Sequence, residues 1–170
     1  MSVTRRQAAL GLALAATAGL AAASSGMAKP APTTVVKSAR NAHLNQQIVV
    51  DSHGMSLYRL KPETTRHLLC KSTLCLGIWK PLTVRTSSTS RIKAGSGVTG
   101  TLGLLRRARN SYQITLRGYP LYTYIADGRR GDANGQNIHS FGGTWLAVPA
   151  STHVPAPKPA PAPPTTMYPY

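Results

Sequence analysis

The sequence predicts a mainly β protein: a small antiparallel β domain made of two related hairpin units, flanked by a signal peptide and a disordered Pro/Ala-rich tail. Three observations point there. Short runs rich in β-branched and aromatic residues are bounded by glycine-bearing turns. No apolar pattern of helical period extends over ten residues. The order hairpin, acid and Gly-x-Trp also occurs twice along the chain. With an export segment and a tail set aside, about 120 of the 170 residues are left to fold, enough for one core.

Residues 1–28 read as a signal peptide. Arg5 and Arg6 form the positive start, Ala8 to Ala23 the apolar stretch, and Gly26-Met27-Ala28 a small-x-small cleavage site. The stretch is alanine-rich and shorter than the roughly 20 strongly apolar residues a membrane span takes, so export outranks a retained helix. Thr4-Arg5-Arg6 resembles a twin-arginine start, but Ala8 and Ala9 stand where a bulky apolar residue is usual, so the Sec and Tat routes both stay open. No cysteine closes the apolar stretch, so the expected product is exported to the periplasm, envelope or exterior without an N-terminal lipid anchor.

Residues 29–45 read as a polar lead, 46–149 as the β domain, and 150–170 as the tail. From Pro149 onward, 8 of the 13 prolines alternate with Ala, Thr and Ser, a composition too poor in apolar groups to offset the entropy of ordering. Within the domain, strands are expected over Gln47 to Val50, Ser56 to Leu60, Tyr112 to Leu116, Leu121 to Ile125 and Thr144 to Val148. Ser52-His53-Gly54 and Arg117-Gly118 read as hairpin turns, because glycine adopts positive φ at low cost. Sliding the chain by 64 residues lays Gly54 on Gly118, Leu57 on Leu121, Tyr58 on Tyr122, Leu60 on Tyr124 and Glu63 on Asp127. A shift of 66 lays Gly77-Ile78-Trp79 on Gly143-Thr144-Trp145, which gives half-repeats of about 46–82 and 110–148.

Outside the cytoplasm, Cys70 and Cys75 are expected to oxidise to a disulfide that pins a local turn. The alternative is a reduced pair that, with His67, binds copper or zinc or serves a redox role. His43, His53, His139 and His153 show no metal spacing, so no metal and no cofactor is assigned.

Tyr122-Thr123-Tyr124-Ile125-Ala126-Asp127 resembles the Tyr-x-aromatic-x-x-Asp motif of the bacterial "secreted repeat of unknown function" family of predicted lipoproteins. Val50 to Tyr58, Cys70 with Cys75, Trp79-Lys80-Pro81-Leu82, Gly118 to Tyr122, Gly131 to Gln136 and Phe141 to Trp145 resemble other parts of that family. The likeness covers about residues 46–149 and implies an envelope location without an established activity. The chain departs from it in lacking the lipid-acceptor Cys, in Lys80 standing where Pro is usual, and in its basicity.

Tyr122 and Tyr124 fall on one face of a strand, with Asp127 placed to accept N–H groups from the Gly128 to Gly131 loop. They form a candidate ligand face for sugars or other rings, with Tyr58, Leu60 and Glu63 as half-repeat equivalents. Asp132-Ala133-Asn134-Gly135 lacks the later ligands of a calcium loop and reads as a turn. No nucleophile elbow or triad surrounds Ser140 and His139, and the expectation is a protein that is not an enzyme.

Twenty Lys plus Arg against 4 Asp plus Glu give a formal net charge of +16. A basic surface of Arg85, Arg91, Lys93, Arg106, Arg107, Arg109, Arg117, Arg129 and Arg130 follows, suited to anionic envelope polymers or membrane surfaces rather than to a specific nucleic acid. The expectation is a noncatalytic, monomeric envelope protein that binds such polymers or glycans.

Overall fold

A computed structural model describes Met1 and residues 30–152. The signal-peptide reading, the tail beyond Thr152 and His153 lie outside the described residues. The described residues form twelve strands: β1 (Thr33–Asn41), β2 (Gln46–Asp51), β3 (Tyr58–Lys61), β4 (Trp79–Pro81), β5 (Thr83–Val84), β6 (Ile92–Ala94), β7 (Leu102–Ala108), β8 (Ser111–Leu116), β9 (Tyr119–Pro120), β10 (Tyr122–Tyr124), β11 (His139–Ser140) and β12 (Gly143–Ala147). Among the described residues the one α-helix is α1 (Thr73–Ile78). Among the described residues no helix is long and apolar enough to cross a membrane.

The strands form three sheets, ordered β2-β1-β6, β11-β12-β3-β10-β4 and β5-β8-β7, with β9 pairing with the last residues of β8, beyond those that β5 pairs. All pairings are antiparallel except β1 with β6. The β class and the five expected strands are present, each within two residues of the expected bounds.

Two expectations need correction. The polar lead is not a lead, because Thr33 to Asn41 forms the longest strand and buries Val35 and Val36. Its sequence carries little apolar signal, but pairing with β2 on one side and β6 on the other satisfies its backbone groups. The domain also runs one residue past Pro149: Ile48 bridges to Pro149, and Ala150 donates its N–H to the Gln47 carbonyl and is fully buried.

Both expected hairpin turns are present, and each hairpin is short. Arg117 and Gly118 both have positive φ, 55° and 81°, the backbone of a type I′ turn. Beyond them β9 pairs with β8 over only Thr115↔Pro120 and Leu116↔Tyr119 before the chain crosses into the central sheet as β10. At Gly54 (φ 89°) the same happens: Val50 bridges Ser56, and the chain then departs as β3.

The repeat is larger than its sequence signal and its halves interlock. Leu57 donates to the Val49 carbonyl, Val148 to Leu57 and Val49 to Val148. The second half repeats this ring with Leu121 donating to Ile114, Leu82 to Leu121 and Ile114 to Leu82. Equating these rings makes β1 and β2 the counterparts of β7 and β8, with the tight turns at Asn45 and Asn110 both at positive φ. Each half gives its last strand to the other: β3 pairs with β12 and β10 with β4, while β3 and β10 meet at Tyr58↔Tyr122.

Side-chain alternation divides the interior in two. Leu57 and Leu121 enter an aliphatic core with Val36, Val49, Ile114 and Val148, whereas Tyr58 and Tyr122 point the other way, into an aromatic core with Trp79, Trp145 and the two cysteines. Each fully buried aromatic ring removes about 150–250 Å² from water, at most about 4–6 kcal/mol at ~25 cal/mol/Å².

Candidate functional site

The family-motif residues form a crossed pair of hydrogen-bonded contacts at the junction of the halves. The Tyr58 hydroxyl donates to Asp127 Oδ2 at 2.6 Å, and the Tyr122 hydroxyl donates to Glu63 Oε2 at 2.8 Å. Each tyrosine thus holds the acid of the other half. The second oxygen of each acid gathers a loop: Asp127 Oδ1 accepts from the Asn134 N–H, and Glu63 Oε1 accepts from the Leu69 and Cys70 N–H groups. Glu63 is therefore an equal partner to Asp127.

These groups are inside the protein. Tyr58, Tyr122 and Glu63 are fully buried and Asp127 is 7% exposed. Burial, reinforced by the neighbouring carboxylates, pushes both tyrosine hydroxyls up from their usual 10.0. Burial also raises the Asp127 carboxyl above its usual 3.8, with the hydrogen bonds from Tyr58 and Asn134 pulling against it.

This placement corrects the expected ligand face. Tyr122 cannot present a ring to a sugar, and Tyr124 is half-buried, stacked on Trp79 at 4.3 Å between centroids. Leu60, its half-repeat equivalent, is buried as well. Asp127 does not hold the Gly128 to Gly131 loop either; Asp132 does, accepting from the Gly128 and Arg129 N–H groups. The alternation that places both tyrosines on one face is right, but that face packs against the aromatic core.

Cys70 and Cys75 form the expected disulfide, buried in the aromatic core. The thiolates required for a site with His67 are consumed by that bond, and among the described residues no group of three or more His, Cys, Asp or Glu could hold a metal ion.

The nine basic residues separate into three kinds. Arg107 and Arg117 are structural: Arg107 donates from Nε to Gln113 Oε1 and from Nη2 to the Tyr122 hydroxyl, while Arg117 donates to the carbonyls of Thr99, Pro149 and Ala150. Arg129 pairs with Asp132 at 3.3 Å, and Arg130 Nε donates to the His53 carbonyl. Arg85, Arg91, Lys93, Arg106 and Arg109 are exposed, and their side chains make no hydrogen bond or ion pair with any described residue.

Three of these five converge. Arg85 and Arg109 line an open pocket of about 490 Å³ with Thr83, Asn110 and Ser111. Arg85 and Arg91 line an adjoining pocket of about 270 Å³ whose walls include Val35, Val84 and Ile92. Arg85 is common to both.

Sequence reasoning missed Gln113, which is fully buried and donates from Nε2 to the Leu121 carbonyl. Its only signal is its place within the expected strand Tyr112 to Leu116, directly before Ile114. It also missed that Arg107 faces inward, at the point where the β7–β8 register shifts between Arg106 and Ala108.

No curated protein and no solved structure matches this chain. Residues 105–149, from within β7 to just past β12, match the family model described as a secreted repeat of unknown function.

Proposed function

We propose that the exported domain is a noncatalytic binding module that holds anionic polymers of the cell envelope on the arginine-bearing pole formed by β5, β6 and the β7–β8 turn. One observation carries this reading: the four acids are committed elsewhere, so the cations of that pole are not neutralised. Glu63 and Asp127 are tied to tyrosines, Asp51 accepts from the His53 and Met55 N–H groups, and Asp132 takes Arg129. Unpaired guanidiniums at the surface attract polyanions over a distance set by the salt concentration.

The test is retention of the processed protein on purified envelope polymers across a salt series. Binding at about 0.01 M salt, where the screening length is ~30 Å, and release by about 1 M, where it is ~3 Å, is the expected result. Retention that ignores salt, or no retention at all, rejects the reading.

A further inference from the structure

We propose that Arg85, Arg91 and Arg109 form a two-subsite groove for a polymer with repeating phosphodiester groups. This deepens the proposed function, and rests on it, by naming the site and the anion.

The arrangement argues for successive anions. Arg85 stands between Arg109 in the larger pocket and Arg91 in the adjoining one, so one guanidinium borders two openings. A guanidinium presents donors in a planar fork that matches phosphate oxygens two at a time. A phosphodiester bridged between subsites can meet arginines from two directions, because its oxygens are tetrahedrally arranged. The Ser111 and Thr83 hydroxyls and the Asn110 amide add neutral donors in the larger pocket. The smaller pocket is walled by Val35, Val84 and Ile92, which suits the carbon spacer between phosphates.

The repeat supplies the second argument. Counting from the equated strands, the first-half counterpart of Arg109, just before the positive-φ asparagine, is Leu44, and that of Arg85, just after the strand end, is Ser151. The same backbone is built in both halves, so the fold does not require arginine at either place. By contrast Arg107 and Arg117 are absorbed by hydrogen bonds. Arg85 and Arg109 thus mark one pole, where the twin pole carries no cation at the same positions.

The test measures binding of the processed chain to poly(glycerol phosphate), to poly-glutamate of matched charge and to phosphatidylglycerol vesicles. The wild type should prefer the polyphosphate by about tenfold over poly-glutamate. R85K/R109K keeps the charge but removes the forks, and should lose about tenfold on the polyphosphate, whereas K61A/K71A/K80A, at exposed lysines elsewhere, should change it by less than about threefold. Salt-sensitive binding that R85K/R109K leaves intact overturns the site while leaving the broader reading standing. Equal affinity for poly-glutamate overturns the phosphodiester preference. Vesicles bound more tightly than the polymer overturn the polymer as the source of the phosphate. Failure to bind any of the three polyanionic probes rejects the proposed function itself.

Discussion

Trp79 and Trp145 lie face to face, their ring centroids 3.8 Å apart and their planes 5° from parallel. They are the repeated tryptophans of the two halves, carried by β4 and β12 on opposite sides of the β3–β10 pair. Tyr58 meets Trp79 edge-on and Tyr122 meets Trp145 edge-on, at 5.4 and 5.1 Å. The contacts reproduce themselves across the junction, so neither half completes the aromatic core alone.

The glycines that precede these tryptophans share a sequence motif and differ in what surrounds them. A Cβ on Gly143 would lie 2.2 Å from the Lys61 carbonyl oxygen, a backbone atom of the paired strand that cannot retreat. A Cβ on Gly77, in α1, would meet nothing within 4 Å. Gly143→Ala should therefore cost about 1–3 kcal/mol or more. Gly77→Ala should be neutral or stabilise by up to about 1 kcal/mol through helix propensity. Urea unfolding of both variants checks this, and similar midpoints would contradict it.

The crossed tyrosine–carboxylate pairs should govern alkaline stability. Both hydroxyls have folded-state pKa values raised above the ordinary 10.0, so their contribution is fully present below about pH 10. It is lost as the pH climbs above that value, because the unfolded state releases the protons first. A spectrophotometric titration of tyrosinate should show these two groups ionising only with unfolding. Tyr58→Phe and Tyr122→Phe should each cost about 1–3 kcal/mol at neutral pH, since each leaves a buried carboxylate oxygen without its donor. Each variant should also unfold less steeply in alkali.

The disulfide closes a short loop beside Glu63, whose carboxylate already holds the Cys70 N–H. Replacing both cysteines by alanine should lower stability by about 2 kcal/mol, the loop-closure contribution for so small a ring. The β content by circular dichroism should persist, because the sheets do not depend on that loop. Collapse of the β signal on replacement would show that the bond does more than pin a turn.

The sequence by itself determined the β class, the duplicated order of hairpin, acid and tryptophan, the turn at Arg117-Gly118 and the Cys70–Cys75 bond. Alternation, positive-φ residues and cysteine spacing act within a few residues, so they can be read along the chain. Only the tertiary structure decided that Thr33 to Asn41 is a strand, that the halves exchange β4 and β12, and that Tyr58 answers to Asp127 and Tyr122 to Glu63. It also separated Arg107 and Arg117, bound inside the fold, from Arg85, Arg91 and Arg109 at the surface. Whether a polar strand is stable, or a basic side chain free, depends on partners scores of residues away. Those partners come together only when interlocked halves close on a common aromatic core.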